Sequence, residues 1–222
     1  MNHGIRSAWS KNAAKWSAVI DSNEIESRRF TNAAILLVIQ ALRPQRVADL
    51  GCGEGWLCRA LQQTGIEAYG FDGTIELVTL AKQKSQGRFE HLAFEDIISG
   101  VPIPYHPYDL IVFNFALFLK DEVAALLIQV MENVRDGGAV VLQTVHPDFL
   151  IDRGLPYRSQ WIADAWEGLP GDFEDGHAWY ARTLEDWKTL ISEIPNSKSS
   201  VEEVHDSDGK PLSLIFILNK LQ

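Results

Sequence analysis

The spacing of apolar residues changes repeatedly along the chain, and each change marks an element. Three largely apolar stretches, around Val47-Ala48-Asp49-Leu50, Tyr108-Asp109-Leu110-Ile111-Val112-Phe113 and Ala139-Val140-Val141-Leu142, read as strands buried on both faces of a parallel sheet. Between them the apolar positions recur at helical spacing: Leu57, Ala60 and Leu61; Leu77, Val78, Leu80 and Ala81; Val123, Leu126, Leu127, Val130, Met131 and Val134. Glu67 to Asp72 adds a strand that ends in an acid, and Arg88-Phe89-Glu90-His91 another. Arg135-Asp136-Gly137-Gly138 is expected to end the last of these helices, with a strand beginning at Ala139. From about Arg46 to Val145, strands thus alternate with helices, the pattern of a doubly wound parallel sheet.

The flanks carry other patterns. Trp9, Ala13, Trp16 and Ile20 stand at helical spacing, and Arg28-Arg29 precedes a second helix through Ala33 to Ile39. Thr183-Leu184-Glu185-Asp186 is a capping box that opens a helix through Trp187, Leu190 and Ile191. Ser199 to His205 and Leu212 to Leu218 read as strands joined by a hairpin turn over Asp206 to Pro211.

The first strand runs into Gly51-Cys52-Gly53-Glu54-Gly55, where glycines at alternate positions let the backbone take positive φ and approach a ligand closely. A dinucleotide pyrophosphate prefers G-x-G-x-x-G, but here the spacing is G-x-G-x-G and Trp56 stands where the third glycine would be. Asp49 lies just before the turn and suits a cationic ligand better than a pyrophosphate. Asp72 falls where nucleoside-binding α/β folds place a carboxylate on the ribose hydroxyls; its alternative is to start a turn with Gly73 and cap the next helix through Thr74. Asn114 and Phe115 follow the central strand, at the carboxyl edge where open α/β folds bind ligands.

The Asp49 to Gly55 turn resembles motif I of class I S-adenosylmethionine (SAM) dependent methyltransferases. Tyr108-Asp109-Leu110-Ile111-Val112 is similar to that family's fourth strand, and Arg135-Asp136-Gly137-Gly138 to its L-x-P-G-G junction without the proline. The resemblance implies a Rossmann-like seven-stranded sheet, mostly parallel, with an antiparallel final strand inserted beside the sixth. It implies SAM as cofactor and S-adenosylhomocysteine as product. Asp49 would lie near the amino acid end, with Gly51, Cys52, Gly53 and Gly55 passing beneath it, and Asp72 and Gly73 at the ribose. Phe94 would flank the adenine, and Glu95 or Asp96 would accept its amino hydrogens, either acid having the alternative of capping the short helix that follows. The broad group with ubiquinone and menaquinone biosynthesis methyltransferases looks similar, without identifying a quinone acceptor.

Composition narrows the partners. The 222 residues, 46% hydrophobic, are expected to form one domain: an N-terminal helical cap (1–44), a cofactor core (45–145), a lid after the fifth strand (146–182) and a C-terminal helix and strand pair (183–222). A net charge of −10 with no basic stripe argues against nucleic acid. Cys52 and Cys58 have no metal-ligand spacing and read as reduced packing residues, so no metal is expected and the cytoplasm is the expected compartment. No apolar run is long enough to span a bilayer, and the expected state is a monomer or homodimer.

The acceptor is expected to be a small molecule held by the cap and the lid. Trp16 and Arg28 from the cap, with Trp161, Trp166, Trp179, Tyr180 and Arg182 from the lid, are the candidate pocket residues, although a tryptophan stripe also serves plain packing. His146 is the first candidate general base and His177 the second; the alternative for His146-Pro147 is to shape a turn. The reading is a methyl transferase acting at oxygen or nitrogen. A SAM-binding module without catalysis and a nucleotide-cofactor oxidoreductase stand as alternatives.

Overall fold

The computed structural model describes residues 2–221. Seven strands, β1 (Arg46–Leu50), β2 (Glu67–Asp72), β3 (Arg88–His91), β4 (Tyr108–Asn114), β5 (Val134–Val145), β8 (Ser197–His205) and β9 (Pro211–Lys220), form one sheet in the order β3-β2-β1-β4-β5-β9-β8. β1 to β5 are parallel, while β9 runs antiparallel to both β5 and β8. The predicted seven-stranded Rossmann-like sheet is the one observed, including its inserted antiparallel last strand.

Strand residues alternate between two cores, as the pleat requires. Leu50, Phe71, Ile111 and Phe113 pack on one face with α5 (Phe94–Ile98), α6 (Glu122–Glu132) and α8 (Leu184–Ser192). Val47, Leu110, Val112 and Val141 pack on the other with α2 (Arg28–Leu42), α3 (Trp56–Gln63) and α4 (Ile75–Lys84). The helix α1 (Asn2–Ser22) lies against α4. After β5 the chain makes α7 (Phe149–Asp152) and a ribbon of β6 (Gln160–Ile162) and β7 (Trp179–Ala181) before entering α8.

One expected boundary moves. The helix α6 ends at Glu132 and β5 begins at Val134, so Arg135 to Gly138 belong to the strand rather than to a turn before it. Pairing with β4 passes from Tyr108↔Val134 to Leu110↔Ala139, and the shift absorbs the extra residues as a bulge. A Cβ on Gly138 would stand 2.6 Å from the Asp109 carbonyl oxygen, so the glycine serves the close approach of two strands. Asp109 holds the bulge from the other side: its carboxylate accepts from the Gln45 and Arg46 N–H groups and pairs with Arg135.

Candidate functional site

The carboxyl ends of β1, β2 and β4, the start of α2, α1 and the lid enclose a cavity of about 420 Å³. Its floor is the glycine turn. Gly51 has φ 76° and its N–H donates to the Phe71 carbonyl at 2.7 Å; a Cβ there would stand 2.5 Å from that of Ala116. Gly55, with φ 84°, would drive a Cβ to 2.6 Å from the Phe89 ring, so it serves packing and does not line the cavity. Gly51, Cys52 and Gly53 do line it.

Asp72 occupies one side of the floor. Its carboxylate accepts from the Gly53 N–H at 2.9 Å and the Thr74 N–H at 2.8 Å, so it shapes the turn while facing the cavity. Burial pushes its pKa up, and those donors pull against the shift. Gly73, Phe94 and Glu95 continue this wall. Phe94 lies edge-on to Phe113 with centroids 5.7 Å apart, and Glu95 is 3.6 Å from the Arg6 guanidinium. Asp96 turns away, its carboxylate accepting from the Ala93 N–H at the start of α5.

Asp49 lies beneath the floor and does not itself line the cavity; it is only 2% exposed, with one carboxylate oxygen unpartnered and the Cys58 thiol 3.8 Å from the other. Burial first and the charge of Asp72 second push its pKa up to about 8, the Cys58 contact opposing them. A cation beside the unpartnered oxygen would favour the ionised form and draw the pKa back down.

Across the floor, Arg28 of α2 carries its guanidinium over the Trp16 ring at 5.1 Å and near Trp56 at 5.8 Å. Its Nη1 is buried without a hydrogen-bond partner, and burial lowers its pKa to about 10 against the raising effect of Glu54. Thr31 follows three positions later on the same helix face and also lines the cavity, its buried hydroxyl unpartnered. Asn114 and Phe115 line the cavity at the end of β4, Phe115 at φ 55°, where a bulky residue is strained.

The roof is aromatic. Trp9 contacts Trp16 and Trp166 edge-on at 5.2 and 4.6 Å, Trp166 stacks on Phe173 at 4.7 Å, and Phe149 stacks on Trp179 at 5.2 Å. Sequence patterning missed Thr31, Phe118, Phe149 and Arg153 as cavity residues. Only the spacing of Thr31 from Arg28 could have signalled one of them.

A family model described as a methyltransferase domain matches residues 9–193. The chain belongs to that family. Its curated relatives include trans-aconitate 2-methyltransferase of Mycolicibacterium gilvum, 30% identical over 75% of this chain and 55% of the relative. Malonyl-[acyl-carrier protein] O-methyltransferase of Enterobacter lignolyticus is 27% identical over 62% of this chain and 53% of the relative. The chain thus spans about half the length of these curated relatives. Among solved structures, a Burkholderia thailandensis 1,6-didemethyltoxoflavin-N1-methyltransferase with bound S-adenosylhomocysteine has a TM-score of 0.69 at 15% identity, covering 100% of this chain and 89% of the other. A Mesorhizobium loti SAM-dependent methyltransferase has 0.61 at 21%, covering 82% and 96%. These two likenesses are of fold.

In this methyltransferase domain several predicted lid residues stand outside the cavity. Trp161 is 38% exposed and packs edge-on against Tyr180 at 5.3 Å. Arg182 is buried between the Tyr180 and Trp187 rings and donates to the Lys120 carbonyl, fastening the ribbon to the chain after β4. His146 is buried; its Nδ1 accepts from the Asp148 N–H at 3.2 Å, which puts the proton of the neutral ring on Nε2, and that nitrogen lies 3.9 Å from Glu203. His177 sits behind Trp9, Phe118 and Trp166, its Nδ1 donating to the Ala178 carbonyl, and burial lowers its pKa. Neither histidine lines the cavity. Trp16, Arg28, Trp166 and Trp179 do.

Proposed function

We propose that the chain transfers a methyl group from SAM to a small-molecule acceptor at oxygen or nitrogen. The observation that carries this reading is the charge arrangement of the cavity floor. The buried Asp49 carboxylate, one oxygen unpartnered, lies beneath the glycine turn; the Arg28 guanidinium, its Nη1 unpartnered, stands across it over Trp16; and the Asp72 carboxylate accepts from the Gly53 N–H at its side. A nucleoside bearing an amino acid end answers all three: its ammonium suits Asp49, its carboxylate suits Arg28 and Thr31, and its ribose hydroxyls suit Asp72. Arg28 is thereby assigned to the cofactor rather than to the acceptor. Phe94 and Glu95 are the proposed adenine contacts, Asp96 being occupied with its own helix. The names of the curated relatives support methyl transfer to small or carrier-bound acids.

SAM supplies a methyl group on a cationic sulfur; the protein's task is to align the acceptor and exclude water. Asn114, Phe115 and the aromatic roof are the residues proposed to do so. Among the described residues no helix is long and apolar enough to cross a membrane, and both cysteines are free. Calorimetric titration with SAM and with NAD tests the cofactor; preferential binding of NAD would replace the reading with the oxidoreductase. Tight SAM binding with no S-adenosylhomocysteine formed from any acceptor would favour the non-catalytic module.

A further inference from the structure

We infer that Arg6, on the helix α1, selects the base of the cofactor by donating a hydrogen bond to an adenine ring nitrogen, an inference that rests on the SAM reading above. Arg6 lines the cavity with Gly73, Phe94 and Glu95, the stretch of wall proposed for ribose and adenine. Its stem reaches that wall by passing over Gly73. A Cβ at Gly73 would stand 3.6 Å from Arg6 Cδ and 3.5 Å from Ala93 Cα, so atoms beyond a Cβ would press on the stem. Arg6 Nε is buried and has no hydrogen-bond partner. A donor buried in that way costs free energy, which a bound acceptor atom recovers. The contact of Arg6 with Glu95 leaves both groups free to bind more: Nη2 stands 3.6 Å from Oε1, well beyond the roughly 2.8 Å of a charge-assisted hydrogen bond. The two side chains are 40% and 38% exposed, and a surface ion pair of this kind adds little by itself.

The pair sets an acceptor and a donor side by side, which is the complement of adenine. That base carries an amino donor at C6, flanked by the ring nitrogens N1 and N7, which only accept. Glu95 takes an amino hydrogen while an Arg6 N–H meets one of the two nitrogens. A base with an oxo group at C6 would turn an acceptor toward the carboxylate, so the pair selects an amino purine. No other charged donor serves this wall. Among the described residues lining the cavity the other cations are Arg28, across the floor over Trp16, and Arg153, held to the Glu167 carbonyl on the lid. Arg6 belongs to the cap and Glu95 to α5, so the bound base joins the two elements and fastens the cap to the core.

Removing the ring nitrogens one at a time tests the contact without an acceptor and without turnover. The full chain is titrated calorimetrically with S-adenosylhomocysteine and with its 1-deaza and 7-deaza forms, in which a C–H replaces N1 or N7. For the wild type, one of the two analogues is expected to bind about ten- to a hundredfold more weakly than S-adenosylhomocysteine, the loss of a hydrogen bond from a charged donor. In Arg6→Met, which keeps an unbranched stem over Gly73, S-adenosylhomocysteine itself should weaken by a similar factor, and the analogue's penalty should shrink to within about twofold. If Arg6 only packs the cap, the variant weakens all three ligands alike and leaves the penalty intact; that result overturns the inference. A wild type that binds both analogues as well as S-adenosylhomocysteine overturns it too, and this comparison needs no variant. Failure of the wild type to bind S-adenosylhomocysteine overturns the SAM reading, and the role of Arg6 falls with it.

Discussion

Asp49 shows how much one side chain's surroundings decide. Its place before the glycines is plain in the sequence, but its protonation follows from complete burial beside Asp72. An unfolded Asp titrates near 3.9. The folded pKa is raised, so the stability tied to the bound proton is present below about pH 4 and is lost as pH rises through about 8. The melting temperature of the cofactor-free protein should therefore fall as pH rises from about 5 to about 8 and level off above that, and SAM should reduce the fall by giving the carboxylate a cation. At pH 7 SAM binding should release a proton, which calorimetry in buffers of different ionisation enthalpy reads directly; an enthalpy independent of buffer would contradict the ammonium–Asp49 pairing. For Asp72→Asn the expected loss is about 1.5 to 3 kcal/mol of SAM binding, a hydrogen bond to a charged group. That is roughly one to two orders of magnitude in Kd, measurable by titration with tryptophan fluorescence. Because Asp72 also holds Gly53 and Thr74, the variant's melting curve must be recorded beside its affinity; full affinity would remove the ribose role.

The elements differ in how far each was written locally. The helix α8 was legible because its capping box is a short-range pattern: the Thr183 hydroxyl accepts from the Asp186 N–H at 3.2 Å. Arg135 to Gly138 were misread because glycine pairs signal turns and bulges alike, and only pairing with β4 distinguishes them. The attachment of α1 to the lid was invisible, since it joins residues about 160 positions apart. The Asn12 amide donates to the Glu174 carbonyl at 2.7 Å and accepts from the Glu174 N–H at 2.9 Å, copying a strand pairing with a side chain. The pairs Lys11–Asp175 and Lys15–Glu174 flank it at the surface, where such ion pairs add little. Asn12→Ala should cost about 1 to 3 kcal/mol of local closure and raise the SAM dissociation rate several-fold in stopped-flow tryptophan fluorescence. Added salt, acting on the flanking pairs, should change that rate little; the reverse ranking would place the closure in the ion pairs.

Across the whole molecule the ligand should act as a bridge, because the cavity takes its walls from α1, α2, the sheet edge and the lid together. At SAM concentrations near 100 times Kd, linkage adds about 2.7 kcal/mol. For a chain of this size that corresponds to a rise in melting temperature of roughly 5 to 11 °C. A shift confined to the lid in hydrogen exchange, with no rise in global melting temperature, would show that the cap and lid are not coupled to the core.

The sequence by itself determined the alternation of strands and helices and the glycine turn, because each rests on periodicity or spacing within about ten residues, while the seven-stranded sheet with its inserted last strand was implied by the family resemblance. It also singled out Gly51, Gly53, Asp72 and Phe94, which the structure gathers at one edge. Tertiary structure alone decided which long-range residues join them. Arg28, expected from the cap at the acceptor, lies over Trp16 and near Trp56 at the glycine turn, while His146 and His177 are held outside by backbone hydrogen bonds and a layer of rings. A helix or loop can present its side chains to several neighbours, and packing across the sheet fixes which. The cap and lid therefore had to be folded onto the core before their residues could be assigned.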